Sequence, residues 1–475
     1  MGKITGFLDY PREVKTKQEI KSRIKHFSEF TVPLSDRRLK TQTGRCMDCG
    51  VPFCNGSCPV SNLIPEFNDL VYNNQWKAAY QVLQSTNNLP EITGRICPAP
   101  CEPACCAGVV TDPVSICTIE HAIIEKAFEE GWVKPNTNIV RNDIKIAIIG
   151  SGPAGLAAAH QLNLAGYNVT VFEKNEAVGG ITRFGIPDFK LAKWVIQRRV
   201  EIMKEEGIAF TLNCNVGVDY TAKNLLKEFD YICLTGGAEA ARELVCDNRN
   251  IEGVHFAMDF LTQQNRINSD VPLKKDLISV KNKHVVVIGG GDTGSDCVGT
   301  SIRQRATSVT QLEILPKPPR NRAEDNQWPE WPRIFTTSSS QEEGCERVFS
   351  VITKALIGEK KLEKIRCANA IWYKDQNEQY QFREKGNSEF EIDADIILLA
   401  MGFTGVSHNN LFDDLGVEIT KRGNVMANNF QTTNKKVFTA GDMMSGQSLV
   451  VRAINSGRKM AKALDTEIKG YSYLS

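Results

Sequence analysis

The chain has 475 residues, a formal net charge of +1, 41% hydrophobic residues and 24% charged residues. This near-neutral balance does not favour the one-sided basic surface that binds nucleic acid or an anionic membrane. No apolar run reaches the roughly 18 residues of a membrane helix, and the first residues lack the pattern of a secretory signal. We therefore expect a cytoplasmic protein that binds small molecules or other proteins, with about three domains at about 150 residues each.

The N-terminal region predicts a small helical domain built around cysteines. Apolar residues at helical spacing indicate helices over Ile64–Tyr72, Trp76–Gln84 and Ile119–Glu130. Nine of the chain's 15 cysteines lie between Cys46 and Cys117. Because thiols stay reduced in the cytosol, this group is more consistent with metal binding than with disulfides. The other six cysteines are scattered along the chain and are typical of small buried core residues.

The spacing of these cysteines favours iron–sulfur clusters. One loop has the pattern C-x2-C-x4-C-x3-C-P over residues 46–59, and a second group follows over residues 97–106. A final Cys-Pro is typical of ferredoxin runs, in which the fourth cysteine serves the other cluster. Seven of these positions nearly satisfy two four-iron clusters, which take four ligands each. Zinc is the alternative, but a single C-x2-C pair is present and zinc leaves no redox route.

A polar, turn-rich stretch over residues 131–142 separates this domain from an α/β region. The apolar β-branched runs Ile144–Ile149 and His284–Ile288 each open a strand–glycine–helix pattern, which is the one internal repeat. We expect an α/β fold with an N-terminal helical iron–sulfur domain followed by two Rossmann-like dinucleotide-binding domains, the second inserted into the first. The expected domains are residues 1–140 for the clusters, 141–245 and 395–475 for the flavin, and 246–394 for the nicotinamide nucleotide.

The first glycine pattern, over residues 150–155, lies between a predicted strand and a predicted helix. Gly150 allows a tight turn, Gly152 lets the backbone approach a pyrophosphate, and Gly155 permits close packing of helix on strand. The helix N-terminus attracts phosphate charge. A second strand, Asn168–Phe172, ends at Glu173, which is placed to accept hydrogen bonds from an adenosine ribose. The predicted cofactor contacts at the helix start also include Pro153 and Ala154.

The second glycine pattern follows the strand His284–Ile288 and predicts a second dinucleotide. One chain with two such units is typical of a flavoprotein whose flavin accepts hydride from a nicotinamide. Glu313 on the next strand favours NAD, whereas Arg320 and Arg322 just beyond it favour NADP. We expect NADPH, with NADH as the alternative. The predicted contacts are Gly289, Gly291, Asp292, Thr293, Gly294, Arg320 and Arg322.

The C-terminal segment indicates which unit holds the flavin. A predicted strand over Val437–Asp442 is followed by a predicted helix that begins near Ser448. We expect Asp442 to bind a ribityl hydroxyl and the helix N-terminus to face the polar edge of the flavin ring. The first unit would then be completed by the end of the chain. Candidate contacts in this part are Gly402, Gly441, Asp442, Ser448, Leu449 and Val450.

Together these motifs resemble the small (beta) subunit of glutamate synthase. The resemblance runs from near residue 40 to about residue 465, and the N-terminal half of dihydropyrimidine dehydrogenase is similar but less close. It rests on both glycine patterns and on the segments Arg45–Cys54, Asn62–Pro65, Thr93–Cys101, Gly179–Lys190 and Ala440–Asp442.

The resemblance implies FAD on the first unit, NAD(P)H on the second and two 4Fe-4S clusters in the helical domain. It implies one cluster held by Cys46, Cys49, Cys54 and Cys105, and another held by Cys58, Cys97, Cys101 and Glu120. Spacing alone would instead nominate Cys106 or Cys117 as the eighth ligand. Further FAD contacts implied by the resemblance are Lys174, Gly180, Arg183 and Ile186.

The same resemblance implies an oxidoreductase that takes hydride from NAD(P)H and passes single electrons to a partner. That partner would be a large subunit that converts 2-oxoglutarate and glutamine to glutamate. Two alternatives remain open from the residues. One is a stand-alone NAD(P)H oxidoreductase that donates electrons to ferredoxin or another acceptor, and the other is an electron-transfer subunit with no turnover of its own. We expect no acid–base catalytic residues.

Overall fold

A computed structural model describes residues 2–273, 277–407 and 409–475. Its N-terminal part is a set of short helices joined by cysteine-bearing loops. The helices expected from apolar spacing are present, and the third begins at Ile116 rather than Ile119. The elements are α1 (Gly6–Asp9), β1 (Thr16–Lys17), α2 (Ile20–Arg23), β2 (Thr31–Val32), α3 (Asp36–Thr43), α4 (Phe53–Ser57), α5 (Ile64–Tyr72), α6 (Trp76–Thr86), α7 (Pro90–Ile96), α8 (Ala107–Val110) and α9 (Ile116–Glu129).

The helices α5, α6, α7 and α9 form the core of this domain. Their inward side chains include Phe67, Leu83, Ile92 and Ile123, which are fully buried. Burying such a side chain contributes about 1.5–3 kcal/mol. Proline lies in the first turn of both α5 and α7, where its missing N–H leaves no intrahelical bond unmade. These packed helices fix the loops that carry the cysteines.

The rest of the chain alternates strands and helices. The first part contains β3 (Lys145–Ile149), α10 (Pro153–Leu164), β4 (Asn168–Phe172), α11 (Ile181–Phe184), α12 (Lys193–Glu205), β5 (Ala209–Thr211), α13 (Ala222–Glu228), β6 (Tyr231–Leu234) and β7 (Ala240–Ala241). The middle part contains β8 (Val254–Phe256), α14 (Ala257–Asn268), β9 (His284–Ile288), α15 (Asp292–Arg303), β10 (Ser308–Glu313), α16 (Ser339–Glu342), β11 (Glu346–Phe349), β12 (Val351–Ile357), β13 (Lys364–Lys374), β14 (Tyr380–Glu384), β15 (Phe390–Asp393) and β16 (Ile396–Leu399). The last part contains β17 (Phe403–Gly405), α17 (Asn410–Asp414), β18 (Val437–Thr439), α18 (Asp442–Ser445) and α19 (Val450–Lys469).

Two five-stranded parallel sheets organise this region. The first has the strand order β18-β6-β3-β4-β5, and the second has the order β11-β10-β9-β16-β8. Helices cover parallel sheets on both faces, so their central strands are continuous apolar runs. The runs Ile146–Ile148 and Val285–Val287 are buried accordingly. The predicted α/β fold, with a helical N-terminal domain and two Rossmann-like domains, is confirmed.

The second sheet is inserted into the first. The chain leaves the first sheet after β6 and returns to it at β18, and the two crossings lie side by side where β7 and β17 pair antiparallel. Strand β16 pairs with β9 and β8 in the second sheet. The nicotinamide-type domain therefore extends past residue 394, the end that we expected for it. The reason is that Ile396–Leu399 is buried on both faces, which suits a central parallel strand.

A third sheet, which the sequence pattern did not indicate, extends from the nicotinamide-type domain. It is antiparallel and contains β12, β13, β14 and β15. All five residues of β14 are exposed, so this strand has no buried apolar run that would indicate it in the sequence. In the described part of the chain, no helix is both long and apolar enough to cross a membrane.

Candidate cluster and dinucleotide sites

Four of the predicted cluster ligands surround one cavity of the helical domain. This cavity lies between the loop that joins α3 to α4, the helix α4 and the turn before α8. Asp48 has a positive φ of 51°, which bends the loop between its first two cysteines. The cavity therefore gathers thiols from two distant parts of the sequence. Its cysteines are Cys46, Cys49, Cys54, Cys105 and Cys106.

The remaining predicted ligands surround a second cavity. Helix α9 contributes Cys117 and Glu120, which are three residues apart and share one helix face. Asn87, Thr93 and Val451 also line this cavity. Of the two thiols that spacing nominated as the eighth ligand, Cys106 faces the first cavity and Cys117 the second. The other cysteines of the second cavity are Cys58, Cys97 and Cys101.

The surroundings of the thiols fit a cluster better than a single ion. Burial raises the pKa of the Cys46 thiol to about 12 and that of Cys58 to about 11. Such thiols keep their protons until a metal centre supplies positive charge. The thiols line the walls of two cavities, an arrangement that suits a multi-atom group such as an iron–sulfur cluster.

Glu120 and Cys117 differ in what their side chains bind. The Cys117 thiol lies within donor distance of the carbonyl oxygen of Gly94, at 3.4 Å, and of Thr93, at 3.7 Å. Glu120 is buried, and burial raises the pKa of its carboxyl to about 7. One of its oxygens accepts hydrogen bonds from Thr93 and Asn87. The carboxyl group is thus held at the cavity that Cys58, Cys97 and Cys101 also line.

The glycine loop after β3 has the geometry of a phosphate cradle. Gly150 has a φ of +102°, and a Cβ there would lie 2.8 Å from the Cα of Gly236. A Cβ on Gly155 would overlap the carbonyl oxygen of Gly150, so helix α10 approaches the strand as closely as a glycine allows. In contrast, a Cβ on Gly152 would meet no atom within 4 Å. The open side of Gly152, at the start of α10, is therefore available to a pyrophosphate.

Glu173, the predicted ribose-binding acid, lies against this loop. It is buried, and one carboxylate oxygen accepts a hydrogen bond from the Ser151 hydroxyl at 2.5 Å. The other accepts one from the backbone N–H of Asn175 at 2.9 Å. A ribose would add its hydroxyl groups to this arrangement.

The residues that follow Glu173 lie around the same loop. Lys174 forms an ion pair with Glu239 near the surface. A Cβ on Gly180 would lie 2.8 Å from the Cα of Gly152, so the two backbones touch. The Arg183 guanidinium donates to the carbonyl of Val178, and the Ile186 carbonyl accepts from Lys193. The polar groups of Lys174, Arg183 and Ile186 therefore bond to other groups of the protein.

The C-terminal candidates meet the first glycine loop from the other side. A Cβ on Gly441 would lie 2.8 Å from the Cβ of Ala154, which follows Pro153 in α10. Asp442 accepts a hydrogen bond of 2.8 Å from the Ser448 hydroxyl, and burial raises the pKa of its carboxyl. Leu449 and Val450 begin α19, and the next residue lines the second cysteine cavity. The start of α19 therefore touches both the flavin-type unit and the second cavity. Gly402, with a φ of +82°, packs on Gln447.

The second unit repeats the geometry of the first. A Cβ on Gly294 would overlap the carbonyl oxygen of Gly289, whereas a Cβ on Gly291 would meet no atom within 4 Å. The Glu313 carboxylate lies against Gly290, where an added Cβ would overlap it. Glu313 thus holds the same position over its loop as the acid of the first unit. Asp292 and Thr293 form the first turn of α15.

The predicted basic residues lie on the loop after β10. Arg320 is exposed, and Arg322 donates to the carbonyl of Asn326 within the same loop. One contact of this loop was not predicted. The ring of Trp328 lies 4.7 Å from the ring of Phe53, which precedes the cluster cysteine Cys54. The prolines around Trp328 mark an unusual loop, but nothing in the sequence indicates where its ring packs.

Two cysteine-lined cavities beside a flavin-type and a nicotinamide-type unit define an iron–sulfur flavoprotein oxidoreductase. Comparisons agree with this class. Residues 23–132 match the family of dihydropyrimidine dehydrogenase domain II with its 4Fe-4S cluster, and residues 144–457 match the pyridine nucleotide-disulphide oxidoreductases. FprA of Mycobacterium tuberculosis in complex with NADPH has a similar fold, with a TM-score of 0.54 and 17% identity over 69% of this chain and 86% of that one.

Curated relatives are closer in sequence. The "Glutamate synthase [NADPH] small chain" of Mycobacterium tuberculosis is 47% identical over 99% of this chain and 96% of its own length. The protein of that name from Bacillus subtilis is 43% identical over the full length of both. The "Glutamate synthase [NADH]" of Saccharomyces cerevisiae is 41% identical over 99% of this chain, which covers 23% of that protein. The chain belongs to the glutamate synthase small chain family. It is an NAD(P)H-dependent oxidoreductase that uses FAD and 4Fe-4S clusters.

Proposed function

We propose that the chain is the electron-input subunit of a two-subunit glutamate synthase and that NADPH is its reductant. The observation that carries this proposal is the start of α19. There Ser448 and Asp442 belong to the flavin-type unit, while Val451 lines the cavity of Cys58 and Cys97. FAD and the two clusters, when bound, supply the conversion of a two-electron hydride into single electrons. The protein supplies their orientation and their electrostatic surroundings.

The residues of the first unit would hold FAD. The open backbone at Gly152 and the N-terminus of α10 would receive the pyrophosphate. Glu173 would accept the ribose hydroxyls. Asp442, oriented by Ser448, would accept a hydroxyl of the ribityl chain.

The residues of the second unit would hold the nicotinamide nucleotide. The open backbone at Gly291 and the N-terminus of α15 would receive its pyrophosphate. Glu313 lies where the adenosine ribose is bound in such units, and Arg320 and Arg322 carry positive charge on the next loop. Relatives are named for NADPH and for NADH, and the relatives at 47% and 43% identity from Mycobacterium tuberculosis and Bacillus subtilis are named for NADPH.

The helical domain would hold both clusters. Cys46, Cys49, Cys54 and Cys105 would bind the first, and Cys58, Cys97, Cys101 and Glu120 the second. The second cavity adjoins α19 and the flavin-type unit. Pro52 lines the first cavity, and its chain neighbours Val51 and Phe53 are 69% and 38% exposed. The domain therefore connects the flavin-type unit with a surface that a partner can reach.

A large glutamate synthase subunit is the partner that we propose. This chain matches 23% of the length of the yeast relative, so that relative joins a region like this chain to a much longer polypeptide. In a two-subunit enzyme the remaining part would be a separate chain. A ferredoxin-like acceptor would instead make the chain a stand-alone oxidoreductase.

The test combines the purified chain with a candidate large subunit. We expect glutamate formation that requires NADPH, glutamine and 2-oxoglutarate together, and reduction of ferricyanide by the chain alone with NADPH. Cys54→Ser should lower bound iron and abolish glutamate formation. The matched control Cys246→Ser, at a scattered cysteine, should change neither. Ferricyanide reduction without any glutamate formation or association would indicate the stand-alone oxidoreductase and refute the partner.

A further inference from the structure

We propose that Asn87 and Thr93 are positioning residues that orient Glu120 as the non-cysteine ligand of the second cluster. This inference rests on the proposed function, because it requires a cluster in the second cavity. All three side chains line that cavity. They are almost completely inaccessible to solvent, with 0%, 2% and 6% exposure for Asn87, Thr93 and Glu120.

A chain of hydrogen bonds fixes one oxygen of Glu120. The Thr93 hydroxyl donates to Oε1 at 2.5 Å, and the amide Nδ2 of Asn87 donates to the same oxygen at 3.0 Å. Nδ2 also donates to the Thr93 hydroxyl at 2.8 Å. The amide is oriented in turn, because its Oδ1 accepts the backbone N–H of Leu89 at 3.1 Å. The Thr93 hydroxyl also lies 3.4 Å from the carbonyl oxygen of Pro90, but the shorter contact is with Glu120.

These bonds leave the other carboxylate oxygen for a metal. Oε1 already accepts two hydrogen bonds, whereas Oε2 accepts none from the described residues. No ion pair joins a described lysine, arginine or histidine to Glu120. The Lys15 ammonium, whose charge acts on Glu120 from a distance, binds the carbonyl oxygen of Gly94 at 2.7 Å. When this buried carboxyl is ionised, a positive charge in direct contact stabilises it. Iron beside Cys58, Cys97 and Cys101 would provide it.

The arrangement also separates Glu120 from the rival thiols. The Cys117 thiol points at backbone carbonyls of the α7 end, and Cys106 belongs to the first cavity. The position of Glu120 is held by Thr93 on α7 and by Asn87, which directly follows α6. Outer partners of this kind orient metal ligands, and losing them typically weakens metal binding about 10- to 100-fold. Thr93 and Asn87 would act on the cluster only through Glu120.

The test compares variants of the full-length chain purified without oxygen. Thr93→Val removes the hydroxyl at constant shape, Thr93→Ser keeps it, and Asn87→Ala removes the amide. Asn73→Ala is the matched control, because Asn73 is exposed and bonds to Asp69. Iron, sulfide and FAD per chain are measured, together with the electron paramagnetic resonance spectrum and midpoint potentials of the reduced clusters.

We expect Thr93→Val and Asn87→Ala to release the iron of one cluster to a chelator about 10- to 100-fold faster, or to shift the potential and spectrum of that cluster alone. Thr93→Ser and Asn73→Ala should match the parent, and FAD should stay bound throughout. If Asn87→Ala loses FAD as well, it has unfolded, and the Thr93→Val and Thr93→Ser pair decides.

Two further variants separate this inference from the proposed function. If Cys58→Ser and Glu120→Ala keep all their iron and both potentials, the second cluster site itself is wrong. If those two variants lose iron while Thr93→Val and Asn87→Ala keep the parent's iron, spectrum and potentials, the cluster site stands and the positioning role is refuted.

Discussion

Replacing Gly291 by alanine should separate nucleotide binding from stability. Gly291 has φ −78° and ψ −172°, which alanine adopts without strain, and its added Cβ would meet no atom within 4 Å. A compatible Gly→Ala change raises the free energy of unfolding by about 0.4–1 kcal/mol, because the unfolded chain loses conformational freedom. The methyl group nevertheless fills the open side of the loop at the N-terminus of α15. The pyrophosphate would then be held away from the backbone N–H groups.

The expected size follows from the lost hydrogen bond. A hydrogen bond to a charged group contributes about 1.5–3 kcal/mol. At about 1.4 kcal/mol for each tenfold change, the Kd for NADPH should rise about 10- to 100-fold. Anaerobic stopped-flow measurement of flavin reduction at increasing NADPH concentration gives this Kd, and urea unfolding gives the stability.

Two matched variants show whether the effect is local. Gly152→Ala makes the same change in the first unit, where an added Cβ also meets no atom within 4 Å, so it should weaken FAD rather than NADPH. Gly294→Ala brings its Cβ within 2.7 Å of the Gln311 amide and into the Gly289 carbonyl, so it should lower stability by about 1–3 kcal/mol. An unchanged Kd for NADPH in a stable Gly291→Ala protein would refute the placement of the pyrophosphate.

Three further outcomes are expected. Glu313→Ala should raise kcat/KM for NADPH relative to kcat/KM for NADH by about tenfold or more, because a carboxylate near the ribose repels a 2′-phosphate. Steady-state assays with both nucleotides measure this ratio, and an unchanged ratio would exclude Glu313 from the ribose site. Glu91→Gln breaks the buried 2.7 Å ion pair with Arg199, which joins the helical domain to α12, and should lower the free energy of unfolding by about 3–5 kcal/mol in urea denaturation. Trp328→Ala removes the contact with Phe53 and should cost about 0.5–1.5 kcal/mol of stability without changing the KM for NADPH; a raised KM would assign the loop to the nucleotide site instead.

Local sequence patterns predicted the parts of the fold that depend on neighbouring residues. Strands such as His284–Ile288 and Asn168–Phe172 have the predicted ends, because a short apolar run closed by glycine or an acid is itself the signal of a buried parallel strand. The two glycine loops were predictable for the same reason. Their turn, phosphate cradle and helix start all lie within six consecutive residues.

Which strands pair with one another depends on contacts between residues that are far apart in the sequence. The strand Ile396–Leu399 belongs to the second sheet because it pairs with β9, more than 100 residues earlier in the chain. The antiparallel sheet around β13 was not predicted, because its outer strand β14 is exposed on both faces and no buried apolar run indicates it. Pairing of this kind depends on which surfaces remain free once the central sheets have formed.

The sequence alone determined that this chain has two dinucleotide loops and a cysteine-rich helical domain, because each is a local pattern of residue types. The tertiary structure decided where the thiols lie relative to one another, and it placed the two undecided ones, Cys106 and Cys117, at different cavities. Cys54 and Cys58 are four residues apart and yet line different cavities, and Cys105 and Cys106 differ from Cys101 in the same way. Spacing limits how near two thiols are, but the packing of α5, α7 and α9 sets the direction in which each one points.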